Sequence, residues 1–201
     1  MRNLKILHEV NEMLGKKFNI NFVRPFPRHS VRFAKNYFNN KPITVVEIGT
    51  YKGENALNMF KELNVKKLYV IDPYQSYEEY KKRDYETSEK GLPKMYLDTQ
   101  KKLGKYKDRV VFIRKFSDDA VKEIPEADFI YIDGNHDYEY VKRDIDNYFP
   151  KVKPNGILAG HDIVNKKFNK DILRALFEFS NKTKIIPTIS RTDWWVVKND
   201  K

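Results

Sequence analysis

Two short stretches of this sequence carry side chains that could move a proton or hold a cation. One is Asp133-Gly134-Asn135-His136, in which a carboxylate and an imidazole stand three residues apart; the other is the adjacent pair His161-Asp162. An imidazole titrates near neutral pH and can take a proton as a general base. Carboxylates combined with an imidazole can instead hold a hard divalent cation. The chain has no cysteine, so thiolate ligands, disulfides and a nucleophilic thiol are excluded.

A second group of residues could hold a small ligand. Val45-Val46-Glu47-Ile48-Gly49-Thr50-Tyr51-Lys52-Gly53 runs from an apolar strand into a turn and then a helix. Gly49 lets the backbone turn and approach a ligand without a Cβ, and Gly53 lets the next helix begin close against the strand. A helix N-terminus offers free N–H groups to an anion. A dinucleotide pyrophosphate calls for G-x-G-x-x-G, which is absent. The looser E-x-G-x-x-x-G suits the carboxylate of S-adenosylmethionine. Asp72 follows Gly49 by 23 residues at the end of the next strand, where a carboxylate accepts from ribose hydroxyls. Ser117 and Asp118, after the third strand, stand either at an adenine edge or at a helix cap.

The elements that must position these residues are legible from periodicity. Apolar runs at 43–48, 68–71, 110–113, 129–132 and 157–159 read as buried parallel strands, separated by helical stretches at 54–63, 77–103, 118–123 and 138–148. A further helix at 170–180 precedes strands at 184–186 and 193–198, which are close enough in sequence to pair antiparallel. The fold class expected is α/β: a Rossmann-like doubly wound sheet of about seven strands, mostly parallel with an antiparallel C-terminal pair, and helices on both faces. Ahead of it, Leu4, Leu7, Val10, Leu14 and Phe18 mark an amphipathic helix, and Ser30 is the expected N-cap of a second one. Trp194 and Trp195 point to opposite sheet faces. Tyr74, Tyr77, Tyr80 and Tyr85 read as a packed helix face rather than an acceptor pocket.

The net charge of +11 is concentrated at the front: residues 1–41 carry nine Lys or Arg against Glu9 and Glu12. Such a segment either keeps the protein in solution or attracts polyanions, nucleic acid among them. No stretch has the apolar length of a membrane span or signal peptide, so a cytoplasmic protein is expected. The domain division expected is a basic helical extension over 1–41 and one ligand-binding domain over 42–201.

Taken together, E-I-G-T-x-x-G at 47–53, I-D-P at 71–73, D-x-I-Y-I-D-G-N-H-x-Y at 128–138 and G-I-L-A-G-H-D-I at 156–163 resemble a class I S-adenosylmethionine-dependent methyltransferase. The branch most similar is that of macrocin-type O-methyltransferases, with catechol-type enzymes more distant. The resemblance covers about residues 43–198. It implies a cofactor set of Glu47, Gly49, Thr50, Tyr51, Gly53, Asn55, Asp72, Ser117, Asp118 and Asp133. It also implies that the fourth and fifth strands are neighbours, bringing Asp133, Asn135 and His136 beside His161 and Asp162. Two arrangements then serve methyl transfer. Either His136 is the general base with Asp133 beside it, or Asp133, His161 and Asp162 hold Mg²⁺ or Mn²⁺ to orient the acceptor oxygen and lower its pKa. Metal-using relatives place a further acid and an amide where this chain has His161 and Asp162, which departs from their ligand pattern.

The function expected is O-methylation of a small-molecule acceptor. One alternative is methylation of RNA or another nucleic acid through the basic segment, although D-G-N-H replaces the N/D-P-P-Y/F loop common in amino-methylating enzymes. An NAD-dependent oxidoreductase is disfavoured because this chain lacks the second glycine of the phosphate loop, and a non-catalytic nucleoside-binding protein leaves the ionisable residues unexplained. A homo-oligomer is compatible with the sequence.

Overall fold

The computed structural model describes residues 27–75 and 91–200. The amphipathic stretch Leu4 to Phe18, the tyrosines Tyr77, Tyr80 and Tyr85, and the 77–90 portion of the expected long helix lie outside those residues.

In chain order the elements are α1 (His29–Phe38), β1 (Ile43–Ile48), α2 (Glu54–Glu62), β2 (Val65–Ile71), α3 (Leu92–Lys102), a 3₁₀ turn (Gly104–Arg109), β3 (Val110–Ile113), α4 (Ser117–Ala120), β4 (Ala127–Ile132), α5 (Tyr138–Tyr148), β5 (Val152–Gly160), α6 (Asn169–Thr183), β6 (Thr188–Ser190) and β7 (Asp193–Val197). The seven strands form one sheet in the order β3-β2-β1-β4-β5-β7-β6. β1 pairs parallel with β2 and β4, β2 with β3 and β4 with β5, whereas β7 is antiparallel to both β5 and β6. The direction of winding reverses between β1 and β4, which is where an open α/β sheet leaves a crevice at its carboxyl edge.

Alternation along each strand divides the core between the two faces. Val46, Ile48, Ile132, Leu158 and Trp194 pack with Val141 and Ile145 of α5 and with Ile172 and Leu176 of α6. Val45, Phe129, Tyr131, Ile157 and Trp195 pack on the other side with Val31 and Ala34 of α1 and with Ala56 and Met59 of α2. Both tryptophans are therefore core residues on opposite faces, and Trp195 also stacks on Phe33 of α1 with ring centroids 5.1 Å apart.

Several boundaries differ from the sequence expectation, β2 and β5 beginning earlier, at Val65 and Val152. The last helix continues to Thr183 and ends on Lys184 in the left-handed conformation, φ 62°. The expected strand at 184–186 is thus displaced to Thr188–Ser190, beyond Pro187. The helix expected over 118–123 is a single turn, Ser117–Ala120. Ser30 is not an N-cap: Arg28 holds that position without a side-chain cap bond. Instead the Ser30 backbone N–H and Oγ both donate to Oδ2 of Asp193, at 2.9 and 2.6 Å, so a carboxylate of the last strand caps the first helix. No helix among the described residues is long and apolar enough to cross a membrane.

Candidate active site

The turn after β1 takes its shape from three left-handed residues, Gly49 (φ 83°), Tyr51 (φ 48°) and Gly53 (φ 69°). Gly49 is required by its neighbours: a Cβ there would lie 2.0 Å from the Asp133 carbonyl oxygen, so the ends of β1 and β4 touch backbone to backbone. At Gly53 the close approach is to α3 and not to a strand, since a Cβ would meet Thr99 Cγ2 at 2.7 Å. The turn is clamped from β2. Asp72 accepts the Tyr51 N–H at 2.8 Å through Oδ2 and the Tyr74 N–H at 2.8 Å through Oδ1. Tyr74, buried, returns its hydroxyl to the Tyr51 carbonyl at 3.0 Å, and Thr99 Oγ1 donates to the same oxygen at 2.9 Å. Burial raises the Asp72 carboxyl pKa, opposed by these two backbone bonds.

Glu47 sits one residue before the strand end and is 1 % exposed. Burial pushes its carboxyl up to about 8, against the Asn55 side-chain amide, which donates to Oε1 at 3.0 Å. The Thr50 hydroxyl is near enough to weigh on the same proton but does not complete a hydrogen bond of good geometry. Glu47 Oε2, Thr50 Oγ1 and Asn55 Oδ1 are buried with no protein partner among the described residues. Orphaned acceptors of this kind are costly unless a ligand satisfies them, and an ammonium donor does so.

Across the crevice, Asp133 directly follows the end of β4, and Asn135 folds the loop beyond it by accepting the Asp137 N–H on its own Oδ1 at 3.0 Å. That turn aims His136 back at the strand end. Its Nε2 lies 3.3 Å from Asp133 Oδ1 and 3.4 Å from Asp162 Oδ2, and its ring stacks on Phe168 with centroids 4.9 Å apart. Burial alone would lower the His136 pKa, but the hydrogen bond to Asp133 and the Asp133 and Asp162 charges together raise it. Asp162, in the left-handed conformation at φ 60°, has its own pKa lowered: burial acts upward, and the His161 and His136 imidazoles outweigh it.

Asp133, His136 and Asp162 each offer one ligand atom, and these atoms lie within 4.8 Å of one another. The imidazole of this cation-capable trio is His136, where the sequence expectation had His161. His161 lies beside the trio, with its Nδ1 3.7 Å from Asp133 Oδ1. Arg28, the residue before α1, donates from Nη1 to His161 Nε2, which leaves Nδ1 to face Asp162 Oδ1 at 3.1 Å. The other arm of the guanidinium, Nη2, lies 3.7 Å from Asp133 Oδ2.

Ser117 and Asp118 stand at the start of α4, but their side chains are engaged by α5. Ser117 Oγ donates to Asp144, Asp118 pairs with Arg143 at 3.4 Å, and Tyr148 donates its hydroxyl to the Ser117 carbonyl at 2.7 Å. Burial pushes the Asp144 carboxyl up to about 7, opposed by Ser117.

Sequence reasoning missed Arg28, Thr99 and Asp193, all of which act on the site through tertiary contacts, and it read Tyr74 as part of a packed helix face, whereas Tyr74 stands in the loop after β2, outside any helix. For Tyr74 a signal existed, since I-D-P-Y places it two residues past Asp72.

This seven-stranded sheet with a glycine turn at its switch point is the fold of class I S-adenosylmethionine-dependent methyltransferases. The sequence matches the family described as "Methyltransferase domain" over residues 46–163, more than half the chain, and the protein belongs to that family. "Uncharacterized protein R132" of Acanthamoeba polyphaga mimivirus is 25% identical over 170 residues, 82% of this chain and 68% of that protein. Among solved structures, a Staphylococcus aureus protein provisionally assigned as a caffeoyl-CoA O-methyltransferase is similar at TM-score 0.64 and 15% identity, covering 98% of each chain. The O-methyltransferase NovP is similar at TM-score 0.59 and 17% identity, over 85% of this chain and 78% of its own. MycE of the mycinamycin biosynthetic pathway, in complex with Mg and SAH, is similar at TM-score 0.57 and 16% identity. The match takes in 94% of this chain and 53% of MycE, so this chain spans about half the length of that enzyme.

Proposed function

We propose that this protein moves the methyl group of S-adenosylmethionine to a hydroxyl oxygen of a small-molecule acceptor at the carboxyl edge of β1 and β4. The observation that carries the reading is the convergence of Asp133, His136 and Asp162 within 4.8 Å, next to the Gly49 turn. In the transfer the acceptor oxygen forms a bond to the methyl carbon as the sulfur–carbon bond breaks, leaving S-adenosylhomocysteine as a neutral thioether. The acceptor hydroxyl must lose its proton. Donor binding falls to the Gly49 turn, to Asp72 for the ribose, and to the unsatisfied acceptors on Glu47 and Asn55 for the ammonium.

Asp133, His136 and Asp162 would hold a divalent cation, and their two carboxylates and one imidazole suit Mg²⁺ or Mn²⁺. Such a cation, when bound, supplies the charge that lowers the acceptor pKa. That a structural relative carries Mg and SAH together supports this reading. Residues 1–41 contribute to acceptor choice, because Arg28 reaches the same carboxylate.

A second reading rests on the 3.3 Å Asp133–His136 contact, which supports His136 as a general base that receives the acceptor proton directly. The test is methyl transfer from labelled S-adenosylmethionine to a panel of hydroxylated small molecules, in EDTA and after adding Mn²⁺. Loss in EDTA with recovery in Mn²⁺ supports the cation. Full activity in EDTA, together with a rate that rises through the His136 pKa, supports the base. Label appearing in RNA and in no small molecule overturns both.

A further inference from the structure

We propose that Arg28 and a divalent cation compete for the Asp133 carboxylate, so that cation binding and docking of the first turn of α1 oppose each other. The inference rests on the cation reading above and adds a residue to it that no sequence motif marks.

Three consecutive residues at the start of α1 grip the carboxyl edge of the sheet. Arg28 engages His161 and Asp133, His29 Nδ1 contacts Ser190 Oγ at 2.9 Å, and Ser30 donates twice to Asp193. The Arg28 side chain is 17 % exposed, so its charge lies in the crevice and not in bulk solvent. The Asp133 carboxylate is divided between two directions: Oδ1 faces His136, while Oδ2 faces the guanidinium. Arg28 thus places a fixed positive charge on a carboxylate of the cation-capable trio, and like charges so near one another at a partly buried site repel strongly. The Arg28 carbonyl accepts the Arg32 N–H at 3.0 Å in the opening turn of the helix, and the two residues that follow are pinned to β6 and β7. The guanidinium adds the turn's contacts to His161 and Asp133; a cation that displaces it removes those contacts, and by linkage a docked turn weakens cation binding by the same factor.

The test titrates Mn²⁺ alone into the full chain, followed by electron paramagnetic resonance of the free ion. Arg28→Ala should bind Mn²⁺ about 10- to 100-fold more tightly than the parent, the scale on which groups around a metal site change its affinity. Arg28→Lys, which keeps the charge, should stay near the parent. Arg32→Ala removes the same charge one turn away on an exposed position and should leave affinity unchanged. If Arg28→Ala melts early, Arg28→Gln gives the same comparison with the length retained. Mn²⁺ should also speed hydrogen exchange at the Ser30 amide of the parent. Equal Mn²⁺ affinity in the parent, Arg28→Ala and Arg28→Lys, or an equal gain in Arg32→Ala, overturns the competition and leaves the cation reading standing. Absence of Mn²⁺ binding in every protein, Arg28→Ala included, overturns both.

Discussion

Asp72 reaches back 21 residues to accept the Tyr51 N–H at 2.8 Å, so the carboxylate that ends β2 sets the shape of the turn that ends β1. The residue assigned to the ribose also builds the loop beside it. Asp72→Ala should therefore act twice, weakening S-adenosylmethionine binding by about 1.5–3 kcal/mol, the range for a hydrogen bond to a charged group, and lowering the melting temperature. Calorimetry of binding and of unfolding measures both, and an unchanged dissociation constant would remove Asp72 from the donor site.

Glu47 gives the donor site a pH dependence. Its carboxyl is pushed up to about 8 by burial, so below that pH the free protein holds it protonated. An ammonium ligand favours the ionised form, and its binding should release a proton. Affinity for S-adenosylmethionine should rise with pH towards 8, approaching about tenfold per unit in the limit of one linked proton. Titrations in buffers of different ionisation enthalpy read the released proton, and Glu47→Gln should abolish the release. A release of the same size in Glu47→Gln would assign the proton to another group.

Asp144 makes the corresponding prediction for stability. Its folded carboxyl, at about 7, lies above the ordinary value of 3.8. The native state therefore retains a proton that the unfolded chain gives up between these values. Stability is fully present below the lower value and declines as pH rises through the window, by about 1.4 kcal/mol per unit at most. Above the folded value the loss is complete. Glu47, shifted the same way, adds to the slope, so the measurement is the difference between the parent and Asp144→Asn in urea unfolding from pH 4 to 7. The variant should be flatter, and parallel curves would refute the assignment.

Glycine substitutions separate the strained turn from an open one. Gly49→Ala places a Cβ 2.0 Å from the Asp133 carbonyl oxygen at φ 83° and should cost more than about 2 kcal/mol. At Gly104 a Cβ meets nothing within 4 Å, and Ala there should be neutral or stabilising by about 0.4–1 kcal/mol. Urea denaturation of the two variants compares them directly, and a Gly49→Ala protein as stable as the parent would contradict the backbone contact.

The five parallel strands were legible because each contains a short apolar, largely buried run, and the strand-end acids stood out against those runs. Asp133, His136 and Asp162 come together as the resemblance implies, because β4 and β5 are neighbours. What the sequence did not disclose was how each histidine is held against these carboxylates. That depends on Asn135 folding the loop under His136 and on Arg28 engaging His161 Nε2, across a separation of 133 residues. The reason for Gly49 was hidden likewise, since the group it avoids belongs to β4. β6 was misplaced because local composition could not tell that the helix would run on to Thr183.

The Asp193 cap on α1 joins residues 163 positions apart, and it sets an order of events in folding. Closing a loop of that size costs entropy that only formed neighbours can offset, so the contact belongs to the late stages of assembly. During synthesis on the ribosome, α1 emerges long before the strand that caps it. The β1–β2–β4 end of the sheet, with its glycine turn, can settle while Arg28 is still without its seat. Completion of the last hairpin then supplies the carboxylate that fixes the first turn of α1 against the sheet.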